Sequence, residues 1–306
     1  MPAERRGRRG LDWTRDGAEW PNRQASRFVE AGGLRWHVQA FDGPSPQAPV
    51  ALLLHGTGAS THSWRDLAPQ LAARFRVLAP DLPGHGFTTT PPARGLTLPG
   101  MARALAALLA AAGAPPAVVV GHSAGAAVAA RMTLDGLVAP RALVGLNGAY
   151  LPLGGLAGRL FSPAARLAAA PGFVPTLLSR IASSPATLDR LLRGTGSSID
   201  AAGRSGYARL VRSPAHVAGA LGMMANWDLQ PLERDLPRLD CPLLLIVGAH
   251  DHTVSPSEAQ RVMRRVPGAL LETMPALGHL AHEERPGQVA DRIVAFAGAQ
   301  HLFTAR

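Results

Sequence analysis

The chain has 306 residues, 47% of them hydrophobic and 17% charged, which supports one large core and excludes a chain disordered throughout. Its formal net charge is +10, and every basic residue is arginine, because the sequence contains no lysine. Those arginines are scattered and accompany no recognition motif, so nucleic acid is not an expected partner.

In chain order, residues 1–26 read as an irregular extension. The cluster ERRGRRG at 4–10 has the composition of a disordered basic tail and offers an anionic membrane surface a peripheral contact. Nothing apolar follows it, so no secretory signal is read and the cytoplasm is the expected location. RFVEAGGLRWHVQAF alternates around a Gly-Gly turn, which predicts an antiparallel hairpin at a sheet edge. PVALLLHG (49–56) is a continuous apolar run, a strand buried on both faces. A helix over 63–74 and a strand over 75–82 follow.

No charged side chain occurs from Ala104 to Ala130, long enough to suggest a membrane span. GAPP at 113–116 argues otherwise, because it stops a helix and restarts the chain in extended form. The reading is a helix over 98–112, with Met101, Leu105, Leu108 and Ala112 on one stripe and Gly113 ending it, then a strand over 117–122 and a helix over 124–134. RALVGLNG (141–148) is the next strand.

The rhythm stops over 150–228, where helical pieces are cut by prolines and glycines. It resumes with CPLLLIVG (241–248), a helix over 257–265, ALLETMP (269–275) and a final helix over 286–298. Alternating buried strands and helices mean a parallel sheet with helices on both faces. The expected organisation is an α/β core over 27–149 and 229–306, interrupted by a helical lid over 150–228. The single cysteine, Cys241, excludes an intramolecular disulfide and reads as a small buried residue.

Ligands bind such sheets at the carboxyl ends of the strands, and three loops there carry chemistry. GHSAG places Ser123 between Gly121 and Gly125, at a strand-to-helix turn where a G-x-S-x-G nucleophile belongs. Serine is a weak nucleophile without a base. Asp251, in VGAHDHTV, and His279, in ALGHLAHEE, follow two later strands in the order acid then histidine. His250, His252 and His282 sit off the expected loop positions. Asn147 occupies the other position open to an acid but cannot serve as a carboxylate. Asp81 reads as a turn cap. In LLLHGTGAST, the Thr57 N–H, with that of Ala124, is the candidate oxyanion donor, and His55 is a brace under that loop.

HGTG, DLPGHG, GHSAG, GAHDHTV and GHLAHEE together resemble the α/β-hydrolase superfamily, over about residues 27–300. The resemblance implies a mostly parallel eight-stranded sheet, with the lid inserted after the sixth strand. It implies Ser123 as nucleophile, Asp251 as acid and His279 as base in an esterase-like serine hydrolase. Haloalkane dehalogenases and epoxide hydrolases place an aspartate at the nucleophile, so Ser123 argues against both.

DGAEWPNRQASRFVEAGGLRWHVQ, LLLHGTGASTHSWRDLAPQLA and APDLPGHGFT further resemble the magnesium-chelatase accessory proteins of bacteriochlorophyll biosynthesis. That resemblance implies magnesium-chelatase subunits as partners and a hydrophobic substrate such as a porphyrin ester. The alternative it carries is a non-catalytic accessory or pigment-binding protein on a hydrolase scaffold. No cofactor and no metal site are expected, since neither zinc spacing nor a phosphate loop occurs. Trp64, Met223, Met224 and Trp227 are candidate substrate contacts, with plain core packing as the other reading of the last three.

Overall fold

The computed structural model describes residues 10–152 and 174–303. Its eight strands are β1 (Ser26–Ala31), β2 (Leu34–Phe41), β3 (Val50–Leu54), β4 (Arg76–Pro80), β5 (Val118–His122), β6 (Ala142–Leu146), β7 (Leu243–Gly248) and β8 (Leu270–Met274). They form one sheet in the order β1-β2-β4-β3-β5-β6-β7-β8. The β1–β2 hairpin is antiparallel and lies at one edge, and β2 also runs antiparallel to β4. All other pairs are parallel.

Among the described residues the α-helices are α1 (Trp13–Asp16), α2 (Leu67–Leu71), α3 (Leu98–Ala112), α4 (Ala124–Leu134), α5 (Val174–Ala182), α6 (Pro185–Gly194), α7 (Ala201–Val211), α8 (Pro214–Ala225), α9 (Gln230–Asp235), α10 (Pro256–Met263), α11 (Ala281–Glu284) and α12 (Pro286–Ala299). The central strands feed two cores because successive side chains point to opposite faces. Leu52, Leu54 and Val119 join α3, α4 and α10 in one core. Ala51, Leu53, Val118 and Val120 join α2 and α12 in the other. Each fully buried leucine contributes about 1.5–3 kcal/mol of transfer free energy, which is why these strands read as unbroken apolar runs.

Helix α3 shows how the local signals work. Thr97 Oγ1 accepts from the Gly100 N–H at 3.1 Å, and Gly113 closes the helix at φ +57°. Met101, Leu105 and Leu108 are fully buried, but Ala112 is exposed and Leu109 takes its place on the stripe. No described helix is long and apolar enough to cross a membrane, so the uncharged stretch from Ala104 to Ala130 is α3, β5 and α4. The helix expected over 63–74 is shorter than its pattern. A 3-10 turn (Thr61–Trp64) comes first, with Ser60 Oγ accepting from the His62 N–H at its start, and only α2 follows.

The N-terminal extension departs from the irregular reading. From residue 10 it folds against the sheet edge, because its two tryptophans have large apolar rings to bury. Trp13 packs edge-on to Phe28 and Phe87, and the buried Trp20 donates its indole N–H to Thr61 Oγ1 at 3.0 Å. The arginine cluster before it lies outside the described residues, apart from Gly10. Cys241 is buried beside β7, its thiol donating to the Pro140 carbonyl at 3.2 Å.

Under these rings lies a fully buried pair, His37 Nδ1 and Asp81 Oδ2, 2.8 Å apart. Asp81 also accepts from the Thr61 and Phe87 N–H groups at 2.7 and 2.9 Å, so its capping role extends over two loops. Burial alone would raise its pKa, yet the field and hydrogen bond of His37 outweigh that and hold it below the carboxylate range. Asp81→Ala leaves three buried donors without an acceptor and is expected to cost about 3–5 kcal/mol, measured by urea unfolding. A loss under 1 kcal/mol contradicts this role.

Candidate active site

Strand β5 ends at His122 and α4 starts at Ala124, so Ser123 alone makes the turn. Its backbone sits at φ +52°, ψ −118°, a region that costs about 1–3 kcal/mol for a residue with a Cβ. Neighbours over-determine it. The Ser123 N–H donates to the Leu146 carbonyl at 3.0 Å, and its own carbonyl accepts from Ala126 and Ala149. Gly125 has no room for a side chain, since a Cβ there would lie 2.1 Å from the Leu54 carbonyl oxygen. The turn therefore needs glycine beside the serine and lifts Ser123 above the carboxyl ends of β3, β5 and β6.

Asp251 follows β7 and His279 follows β8, and the two meet. His279 Nδ1 and Asp251 Oδ2 are 2.8 Å apart, both residues buried. The other Asp251 oxygen accepts from the Thr253 and Val254 N–H groups at 2.7 and 2.9 Å. The sequence reading missed a fourth partner. Asn147, just past β6, donates its Nδ2 to Asp251 Oδ2 at 2.7 Å. It occupies the position where a carboxylate could have stood and orients the one supplied by the next strand. Its placement at a strand's carboxyl end was the available signal.

The turn meets this pair at His122, the residue before Ser123. His122 Nε2 donates to the His279 carbonyl at 2.9 Å, and the two rings lie 4.7 Å apart. Burial pushes the His122 pKa well below the usual histidine value, so its ring is neutral. The His282 ring lies 4.4 Å from that of His122, tilted by 47°, its pKa lowered by burial to about 3 and neither ring nitrogen hydrogen-bonded among the described residues. His250 and His252 flank Asp251 but are exposed.

Thr57 and Ala124 follow the carboxyl ends of the adjacent strands β3 and β5. Ala124 is the first residue of α4, where a backbone N–H has no intrahelical acceptor. Thr57 lies in a turn at the end of β3, half-buried, and its Oγ1 donates to Met223 Sδ of the lid at 3.4 Å. The candidate substrate contacts divide. Met223 is buried over that turn, Met224 is half-buried on α8, and Trp227 is half-buried against the core. Trp64 departs from its expected role. With no exposed surface, it belongs to the core that holds Leu67 and Phe75, and its ring lies 4.7 Å from that of His282. No group of three or more metal-ligating side chains suited to an ion occurs among the described residues.

The lid, between β6 and β7, is tied down beside His279. Arg65 binds Glu283 of α11 and, at 2.8 Å, Asp200 at the start of α7. Tyr207 of α7 donates to the other Glu283 oxygen at 2.8 Å. Burial pushes the Glu283 carboxyl from 4.5 up to about 7, against the pull of Arg65 and Tyr207.

Comparisons with known proteins add context to this geometry. The alpha/beta hydrolase family matches residues 51–292. The chain is 42% identical to the "Magnesium-chelatase 30 kDa subunit" of Rhodobacter capsulatus, over 87% of this chain and 92% of that one. It is 30% identical to the "Pimeloyl-[acyl-carrier protein] methyl ester esterase" of Aromatoleum aromaticum, over 77% of this chain and 94% of that one. Among solved structures, an alpha/beta hydrolase fold protein from Burkholderia ambifaria aligns with a TM-score of 0.74 at 22% identity, covering 89% of this chain and 97% of that one. The epoxide hydrolase CorEH aligns at 0.76 and 21% identity, covering 90% and 98%. At such identities the likeness is one of fold.

Glu283 gives the site a test by pH. Between 4.5 and about 7 the folded protein keeps a proton that the unfolded chain has lost. The stability this group contributes is complete below 4.5 and is lost as pH rises through about 7. Glu283→Gln removes the effect, so its melting temperature relative to the unsubstituted protein should climb from pH 5 to pH 8. A difference that stays constant over that range contradicts the assignment.

Proposed function

This chain belongs to the alpha/beta hydrolase family, and from that premise we propose that it is a serine hydrolase working by acyl transfer on an ester. The observation that carries this reading is the hydrogen-bonded Asp251–His279 pair packed against the strained turn that presents Ser123. His279 takes the Ser123 proton as the hydroxyl attacks a carbonyl, and Asp251 fixes the imidazole tautomer and steadies the imidazolium. The Thr57 and Ala124 N–H groups hold the oxyanion. The imidazolium returns its proton to the leaving alcohol, and water then releases the acyl group by the same steps in reverse.

The substrate class we infer is a hydrophobic carboxylate ester. Two things support it: the buried lid residue Met223, set against Thr57, and a methyl ester esterase among the relatives. The Rhodobacter capsulatus relative points the same chemistry towards a magnesium-porphyrin ester in bacteriochlorophyll synthesis. That relative also favours a second reading, an accessory partner of magnesium chelatase that binds pigment without turning it over. An Asp251 carboxylate with four hydrogen bonds to it is more than a binder needs.

A fluorophosphonate probe, followed by peptide mapping, decides between the two. Labelling at Ser123 is expected, abolished by Ser123→Ala and slowed about 10⁴-fold by Asp251→Asn, the scale associated with loss of the correct tautomer. An unlabelled Ser123 in the folded protein ends the hydrolase reading. In cells, pigment synthesis supported equally by Ser123→Ala would favour the accessory role.

A further inference from the structure

The donor assigned to Thr57 is wired to the lid through two peptide groups. The Thr57 N–H belongs to the Gly56–Thr57 peptide, whose carbonyl accepts from His55 Nδ1 at 2.8 Å and from the Ala59 N–H at 3.2 Å. That Ala59 N–H belongs to the Gly58–Ala59 peptide, whose carbonyl accepts from His216 Nε2 at 3.1 Å. His216 stands on α8, in the lid, and is 4% exposed. Its Nδ1 accepts from the Gly86 N–H at 3.1 Å, so in the neutral ring the proton sits on Nε2. Burial keeps the ring neutral, lowering its pKa to about 4.

We propose that His216 is a positioning residue: from the lid it aligns and polarises the two peptides that end in the Thr57 N–H, making the strength of the oxyanion donor depend on a seated α8. Hydrogen bonds in such a chain reinforce one another, since donation to a carbonyl makes the N–H of the same peptide a better donor. Gly58, at φ +77°, lets the turn bring both peptides into line. Helix α8 is fitted closely enough to hold the ring in place. A Cβ at Gly219 would lie 1.9 Å from the Gly84 carbonyl oxygen, so helix and loop touch backbone to backbone. Met223 meets Thr57 one turn further along. His55 holds the Gly56 carbonyl independently, so loss of His216 weakens the donor without abolishing it.

The inference rests on Thr57 being the oxyanion donor, and its test separates the two. His216→Gln keeps an amide donor near the Nε2 position and thus the Gly58 bond. His216→Asn keeps an acceptor near Nδ1 and thus the Gly86 bond alone. Amide proton and nitrogen resonances of Thr57 and Ala59 report the chain directly. They should move in His216→Asn and stay near their original positions in His216→Gln, with the Ala124 amide unmoved in both. Fluorophosphonate labelling of Ser123 should slow about tenfold in the Asn variant and recover in the Gln variant. Thr57 and Ala59 resonances in place in the Asn variant overturn the relay, as does equal behaviour of the two variants. If the resonances respond while labelling of the Asn variant keeps the original rate, the link to the oxyanion donor is overturned. If Ser123 in the unsubstituted protein does not label, the hydrolase reading fails, and with it the catalytic half of this inference, while the resonances still decide the relay.

Discussion

One residue with positive φ between a buried strand and a buried helix constrains the whole molecule. Ser123 can hold that conformation only because β6 supplies an acceptor, the segment after β6 supplies a donor, and Gly125 lets α4 close on β3. Each of those is a product of the parallel sheet. The central strands must be apolar on both faces to sit between two helical layers, and only then do their carboxyl ends share one rim. The strain is therefore local, while its support comes from strands distant in sequence.

Much of this was legible in the sequence because the local signals agreed with the global ones. The runs at Val50–Leu54 and Val118–His122 have no reading other than a doubly buried strand once the flanking glycines and prolines set their length. Gly113 ends α3 as expected. The contacts between loops were not legible. Asn147 was read only as an amide that cannot ionise, although its value lies in orienting Asp251 across 104 residues of chain. Trp64 was read as a ligand contact, yet its side chain is fully buried in the core. The two N-terminal tryptophans sat in a stretch too short and too polar for any periodicity, and only packing against Phe28 and Phe87 reveals their purpose.

The histidines show the same limit. The chain has 11 of them, and sequence position assigns a role to His279 alone with any clarity. The structure distributes several others around it as neutral, buried hydrogen-bonding rings: His55 and His216 on the turn after β3, His122 on the His279 carbonyl. A neutral imidazole offers one donor and one acceptor in fixed directions, and burial keeps it neutral. That makes it a connector between backbone groups that no aliphatic side chain could replace.

The N-terminal segment reaches both halves of the fold. Trp20 bonds to Thr61, and Arg209 of α7 binds Glu19 and donates to the Asp16 carbonyl at 3.1 Å. During synthesis this segment leaves the ribosome well before its partner at residue 209, which emerges some 190 residues later. Its docking closes a very long loop and so belongs to the last stage of assembly. Until then the segment rests on Phe28, Thr61 and Phe87, and a nascent chain stalled before α7 leaves Glu19 and the Asp16 carbonyl without Arg209.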